Sequence, residues 1–420
     1  MSTQVIYHAN PPGVPGFLMA RQPVLDRHQD PVAFDLLFCD ADGASAVGAP
    51  AAPISVLGYF GELNMEKTVG ELRGFVDVDE AVLMSDVFNI IPRTKFILNL
   101  TENVRASESL LQRVAQLAHH GFVFALDEVL SDAADIQKFL PLVDIVKFDL
   151  HQLPLDALIK LTPQKEFASK RLMVENVDTL AQFDTCLALG FDYFQGYYFA
   201  HPIILPDRQL APSQLAAIEV VTLISTEADS GEIEERIKRD VSLGLNLLRL
   251  VNTAAVGSHR IDSLRQALMV LGRNQLLSWM QVMLYAQPRE NVASVKPLLM
   301  QATTRGKMLE LLAQRHRPGN RSIADAAFTV GIMSLMDALF GMPMAQIVRQ
   351  IAVVEEISDA LLQRKGYYGE LLKLTELSER AETLSLVRAE LDKLQISSGE
   401  FYQLQSEAFE WSNLITQGMH

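Results

Sequence analysis

The sequence predicts an α/β barrel followed by an all-helical domain. Three observations carry that prediction. Short apolar runs ending in charged residues alternate with helix-like stretches through roughly the first 200 residues, the pattern of parallel strands joined by crossovers. At least five of those runs place polar residues at their carboxyl ends, and a closed barrel gathers all such ends into one mouth. Beyond Leu205 and Pro206 the texture changes, and almost every segment reads as helix punctuated by Pro and Gly.

Composition sets the outer limits. The chain has 420 residues, too many for one ordinary core, and length alone suggests roughly two to three domains. With 49% hydrophobic and 21% charged residues it is globular rather than disordered. A formal net charge of −15 argues against a nucleic-acid partner, because phosphates would be repelled over most of the surface. The two cysteines, Cys39 and Cys186, show no metal or redox spacing and read as reduced thiols. No signal peptide opens the sequence and no apolar run suits a bilayer span, so a cytoplasmic location without direct membrane insertion is expected.

Taken in order, residues 1–16 are rich in Pro and Gly and form an expected flexible arm. Phe17 to Asp26 is an apolar run broken by Pro23. Val32 to Asp40 is β-like with Asp35 in its middle, which by itself suits a strand edge facing water. Residues 41–53 are a loop, and Ile54 to Leu72 suits a helix. Phe75 to Asp79 alternates as a strand with Phe75, Asp77 and Asp79 on one side. Phe96 to Glu102 is an apolar run with a polar end, containing Asn99. Ser107 to His119 spaces Leu110, Leu111, Val114 and Leu117 as a helix face. His119 and His120 lack ligand spacing and should be exposed.

Gly121 to Asp149 is the organising stretch. One run ends in Asp127 and Glu128, and the next, from Val143, carries Lys147 and Asp149. Arg171 to Asp178 is a further strand containing Glu175. Thr179 to Leu189 is a helix closed by Gly190. Phe191 to Pro202 holds the last strand, with Gln195 and Gly196. In the second half, Val241 to Asn252 has apolar residues on nearly every side and belongs in a core, with Asp240 as its N-cap. Leu264 to Leu271 is a helix stopped by Gly272. Ala324 to Phe340 is a strongly apolar helix, and the stretch from Leu371 to Ser412 is amphipathic and acid-rich.

These residues resemble a known pair of domains. Arg21, Gln22 and Pro23, then Phe34 to Leu37, Ala125 to Glu128, Val146 to Asp149 and Phe194 to Tyr197 resemble the successive motifs of an EAL domain, the cyclic-di-GMP phosphodiesterase barrel. Arg239 to Leu243, Leu250 to Thr253, Ala267 to Arg273 and Gly331 to Leu339 resemble an HDOD domain, a helical relative of HD-GYP domains without their chemistry. The resemblance implies a TIM-like barrel over 17–203, an HDOD domain over 204–400 and a helical tail over 401–420.

The departures matter as much as the matches. An active EAL site holds two divalent metals that clamp the phosphate and generate hydroxide. The resemblance gives ligand positions to Asp35, Asp77, Asn99, Asp127 and Glu128. Asp35 replaces a glutamate, Asp77 an asparagine, Asn99 a glutamate, and Glu128 an aspartate. Asp178 also replaces a glutamate, while Glu102, Lys147, Glu175 and Gln195 are kept. Gln22 stands at a substrate-binding position. Cys39 stands where an arginine would grip a phosphate, and a thiol offers neither the charge nor the forked donors. These exchanges imply a relict site in Asp35, Asp127, Glu128, Lys147, Glu175 and Gln195, with no catalytic residues and no metal.

In the HDOD half no His is followed by Asp. Ser334 lies where a metal-binding histidine would be sought, and Asp337 is isolated. The implied function is a non-enzymatic bacterial signalling regulator acting through protein–protein contacts. The alternatives are an active, metal-dependent cyclic-di-GMP phosphodiesterase and a receptor that binds without hydrolysis. No cofactor is expected, and Mg or Mn enters only if the relict site still holds metal. The expected partner is a signalling protein bound through the HDOD domain, at the connector Thr253 to Ser263 and the junction Pro202 to Pro206. A homodimer is compatible with the sequence.

Overall fold

Eight strands close on themselves in the order β1 (Phe17–Leu25), β2 (Pro31–Asp40), β3 (Arg73–Val78), β4 (Phe96–Leu100), β5 (Val123–Leu126), β6 (Ile145–Asp149), β7 (Arg171–Glu175) and β8 (Tyr193–Gln195). This is a computed structural model, and it describes residues 17–40, 65–101, 104–127, 134–161, 167–201, 212–226, 228–239, 243–244, 247, 252, 264–285, 296–351 and 353–418. From β2 to β8 neighbouring strands run parallel, so their carboxyl ends meet at one mouth. β1 runs antiparallel to both β2 and β8, so its direction is reversed and its early residues lie at the mouth.

Strand periodicity builds the interior in layers. Val24, Ala33, Phe75, Ile97, Ala125, Ile145 and Met173 form one buried apolar layer, with Tyr193 packed against it. Side chains two residues apart share a face, so the next layer toward the mouth follows from the sequence. It consists of Gln22, Asp35, Asp77, Asn99, Asp127, Lys147, Glu175 and Gln195, one from each strand or from the residue just beyond its end. An apolar floor thus carries a ring of polar groups.

The helices between strands follow local rules. Glu108–His119 is capped by Ser107, whose side chain accepts from the Leu110 N–H, and it buries Leu110, Val114 and Leu117. Leu111, expected on that apolar face, is only half-buried. Leu180–Ala188 opens with a reciprocal capping box between Thr179 and Gln182. Gly190 follows its C-cap with a φ of 92°, as its position in the sequence predicts.

Several expected boundaries shift. β1 runs through Pro23 to Leu25. β3 ends at Val78, and Asp79 turns out to cap the helix Glu80–Leu83 by accepting from the Val82 N–H. β7 ends at Glu175, because Asn176 takes a φ of 56° and leaves the extended region. Gly272 has a φ of 71° and breaks the helix Leu264–Tyr285, but helical structure resumes beyond it. The predicted helix from Ala324 to Phe340 is two, Arg321–Met333 and Met336–Phe340, the second ended by left-handed Gly341. The arm 1–16, most of the 54–72 stretch, Asp240, the connector 253–263 and the junction 202–206 lie outside the described residues.

Two compact units emerge, Met1–Tyr198 with Glu376–Ser406, and Phe199–Thr375 with Glu407–His420. The stretch Glu376–Ser406 therefore groups with the barrel, although it follows the helical region in sequence. In that first unit Gln405 donates to the Met19 carbonyl at 3.1 Å. In the second unit Leu243 and Leu247 are buried, as their apolar surroundings in sequence predict. Tyr285 donates to the Ile332 carbonyl at 2.5 Å, and Thr303 bonds Ser412 at 2.8 Å. No helix among the described residues is long and apolar enough to cross a membrane.

One glycine is held by close approach. A Cβ on Gly196, at φ 152°, would lie 2.1 Å from the Val177 carbonyl oxygen and 2.5 Å from the Val177 nitrogen. Both are backbone atoms that β8 must approach, since the Val177 N–H donates to Gln195 O at 3.0 Å. Gly196→Ala is expected to destabilise the barrel by about 3 kcal/mol or more. Urea unfolding followed by circular dichroism tests this, and a loss under about 1 kcal/mol contradicts it.

Candidate functional site in the barrel mouth

The polar ring is organised around Lys147, whose side chain is 2% exposed. Its Nζ lies 2.5 Å from Glu175 Oε1 and 3.8 Å from Asp127 Oδ2. On the other side of the ring Gln195 Nε2 donates to Gln22 Oε1 at 2.5 Å and to Asp35 Oδ2 at 3.0 Å. Asn99 Nδ2 donates to Asp77 Oδ1 at 3.0 Å, as the register of β3 against β4 requires. Asp149 is turned away from this cluster, accepting from Asn176 Nδ2 at 2.6 Å and from the His151 N–H at 2.8 Å. Asp178 pairs with His151 at 3.2 Å, with both side chains about half exposed.

The structure thus brings together Gln22, Asp35, Asp77, Asn99, Asp127, Lys147, Glu175 and Gln195. Asp178 is not brought in. Asp35 does not face water, as a lone strand-edge carboxylate would, but is buried. Cys39 is buried on β2 opposite Leu18. Glu102 and Glu128 lie outside the described residues.

Electrostatics follow from setting buried Asp35 and partly buried Asp77, Asp127 and Glu175 against one buried ammonium. Burial alone would lower the Lys147 ammonium, but Asp127, Glu175, Asp35 and Asp77 outweigh it and hold it well above its ordinary value. Burial pushes Glu175 well above the usual carboxylate range despite Lys147. Burial likewise raises Asp35, against Lys147 and the Gln195 hydrogen bond. Asp77 rises to about 6, through burial first and then the charges of Asp35 and Asp127, opposed by Lys147 and Asn99. In the absence of a bound cation, Asp35, Asp77 and Glu175 are thus biased toward their protonated forms.

The fit of a divalent metal can be judged from the donors. Asp35 Oδ1, Asn99 Oδ1 and Gln195 Oε1 are buried without hydrogen-bond partners, and a cation is one way to satisfy such oxygens. Two of the three are neutral amide oxygens. The charged oxygens of Asp127 and Glu175 face the Lys147 ammonium, and Asp77 is held by Asn99. Among the described residues no three His, Cys, Asp or Glu side chains converge as a metal-holding group. Of the positions that the resemblance assigns to metal, Asp35, Asp77, Asn99 and Asp127 lie in this ring, and Glu128 lies outside the described residues.

One feature of the mouth has no signal in the sequence. Within the same compact unit, the Glu379 carbonyl accepts from Tyr197 Oη at 2.6 Å and from Gln22 Nε2 at 3.4 Å. The Arg380 guanidinium lies 4.4 Å from the centre of the Tyr197 ring. Gln22, the residue that the resemblance assigns to substrate, is thus bonded to the chain's own backbone.

In the helical unit, Ser334 is buried and accepts from Arg305 Nη1 at 3.0 Å, while its own Oγ donates to the Gly331 carbonyl at 2.7 Å. A buried guanidinium therefore stands beside the position where a metal-binding histidine would be sought. Burial raises the Asp337 carboxyl. Asn252 is exposed, as are His119 and His120.

Comparison with known proteins agrees with this architecture. The EAL domain family matches residues 80–202, and the HDOD domain family matches residues 212–359. The chain thus carries an EAL domain followed by an HDOD domain. It is 28% identical over 410 residues to the Vibrio cholerae protein CdgJ, named a cyclic di-GMP phosphodiesterase, covering 95% of this chain and 93% of that one. It is 26% identical over 407 residues to YuxH of Bacillus subtilis, an uncharacterized protein, covering 94% and 97%. Among solved structures, the Bacillus subtilis YkuI protein, with an EAL domain and in complex with c-di-GMP and calcium, shows 19% identity at a TM-score of 0.36. That match covers 61% of this chain and 73% of that one.

The raised Asp77 carboxyl gives a signed pH dependence. A carboxyl whose folded pKa is raised stabilises the fold fully below its unfolded value of 3.8, and that contribution is lost as pH climbs through about 6. Asp77→Asn removes the titration and keeps a carbonyl to accept from Asn99. The variant's advantage over wild type is expected to grow between pH 4 and pH 7.5, by on the order of 1–3 kcal/mol. Thermal unfolding of both proteins across that range is the check, and a constant difference contradicts the assignment.

Proposed function

We propose that this chain is a non-enzymatic regulator of bacterial cyclic-di-GMP signalling, acting through protein contacts, with a barrel mouth that no longer hydrolyses the nucleotide. The observation that carries the reading is the extent to which the ring pairs with itself, leaving Asp35 Oδ1 as the one buried carboxylate oxygen among the described residues of the ring without a partner. Lys147 faces Asp127 and Glu175, Asn99 bonds Asp77, and Gln195 links Gln22 to Asp35. Phosphodiester hydrolysis in such a barrel needs open anionic ligands for metal and a cation for the phosphate. Asn99 and Cys39 supply neither, and Gln22 is engaged by the Glu379 carbonyl. An output through protein contact requires no chemistry at the mouth, and it accords with an HDOD half in which Arg305 and Ser334 hold the place where a metal histidine was sought. In this reading the protein works in the cytoplasm and its partner is a signalling protein bound through the HDOD domain.

A second reading, an active phosphodiesterase using Mg or Mn, is favoured by the Vibrio cholerae relative and by the retention of Asp127, Lys147, Glu175 and Gln195. The two readings separate in one experiment. Purified protein incubated with cyclic di-GMP and Mn²⁺ is expected to release no linear pGpG by chromatography. Calorimetry without metal is expected to show weak binding at best, since losing one charge-assisted phosphate contact at position 39 costs about 1.5–3 kcal/mol, or one to two decades of affinity. Release of pGpG that disappears in Asp127→Ala would establish the second reading.

A further inference from the structure

The chain has two tryptophans, Trp279 and Trp411, and both line one cavity of about 580 Å³ in the helical unit. The cavity lies among the helices Leu264–Tyr285, Lys296–His316, Arg321–Met333 and Ser398–Gly418. Its volume suits a molecule of mononucleotide size. Its walls divide into an aromatic part and a cationic part.

The aromatic part is a cluster of three rings. The Trp279 and Trp411 ring centres are 5.7 Å apart and tilted by 31°, and Phe328 meets Trp411 edge-on at 5.7 Å. Trp279 is 3% exposed, and its indole N–H is buried without an acceptor in the protein. A buried indole N–H normally finds a partner. That N–H is buried away from the cavity, so the indole meets the cavity through other ring atoms.

The cationic part surrounds the start of the helix Arg321–Met333, where Asn320 caps by accepting from the Ile323 N–H. Backbone donors and the helix dipole favour an anion at such an end. The wall carries Lys307, Arg317 and Arg321 against two carboxylates, of which, among the described residues, only Glu310 pairs with a cation. Glu310 pairs with Lys307 at 3.1 Å, and Asp325 accepts from Asn274 at 2.8 Å. Arg317 stacks on Tyr367 at 4.1 Å and has no carboxylate partner among the described residues, and neither does Arg321. In a chain of net charge −15, this wall carries a local surplus of unpaired guanidinium groups.

The geometry points to this cavity as a binding site for a phosphorylated planar aromatic molecule, a purine mononucleotide in class, whose base lies against the tryptophans and whose phosphate meets Arg317, Arg321 and the helix start. The aromatic cluster selects a flat π-system, and the arginines select the phosphate. All the lining residues belong to the second compact unit.

Both reporters are already in place. Tryptophan emission of the full chain, excited at a wavelength that nucleotides do not absorb, is titrated with GMP and AMP, and separately with guanosine and inorganic phosphate. A saturable change with at least one mononucleotide is expected, with guanosine about ten-fold or more weaker, because the phosphate contact is lost. Arg321→Ala should weaken the mononucleotide about ten-fold while leaving guanosine binding and the thermal midpoint unchanged. Trp411→Phe keeps Trp279 as a reporter should the other variant be poorly folded. Absence of a saturable change with either mononucleotide up to about 5 mM, at the weak limit of specific binding, overturns the inference. So does a response to GMP that matches the response to guanosine and is insensitive to Arg321.

Discussion

The barrel depends on one ammonium group. Lys147 is buried where a free lysine would lose its charge, and it keeps that charge only because Asp127, Glu175, Asp35 and Asp77 surround it. The carboxylates in turn are tolerable only because the ammonium is there. Removing either side leaves uncompensated charge in the interior, which costs about 3–5 kcal/mol in comparable buried pairs. The interaction also ties the exits of β5, β6 and β7 to one another, since its members stand at the ends of those strands. Four carboxylates against one lysine still leave an excess, and protons absorb part of it, as the raised Asp77 and Glu175 carboxyls indicate. In a metal-dependent barrel the cations would perform that neutralisation.

The same logic explains why the mouth carries a contact to its own chain. Gln22 and Tyr197 direct donors at one place, and the Glu379 carbonyl accepts from both. Arg380 on the Tyr197 ring adds a cation beside an acidic mouth. The contact fixes Gln22 and Tyr197 to the segment that follows the helical region in sequence.

Much of this was legible in the sequence, for physical reasons that can be named. The resemblance brought Asp35, Asp77, Asn99, Lys147 and Glu175 into one site, whereas periodicity alone left Asp35 on a water-facing strand edge, because only closure of the barrel turns that edge into an interior layer. Turn and cap chemistry located Thr179 and Gly190. Local rules misplaced Asp79, because an aspartate ending a strand and an aspartate starting a helix look alike until the next turn forms. They could not predict the left-handed Asn176 that halts β7 before Asp178. The Glu379 contact and the cavity lined by Trp279 and Trp411 join residues far apart in the chain, and no local pattern announces them.

The central claim is that Lys147 and bound protons, rather than divalent cations, balance the mouth. Manganese binding read by electron paramagnetic resonance tests it most directly, because bound Mn²⁺ leaves the sharp free-ion signal. At neutral pH and about 0.1 mM Mn²⁺ with equimolar protein, an undiminished free-ion signal is expected. Stoichiometric loss of that signal, restored by Asp127→Ala, would contradict it.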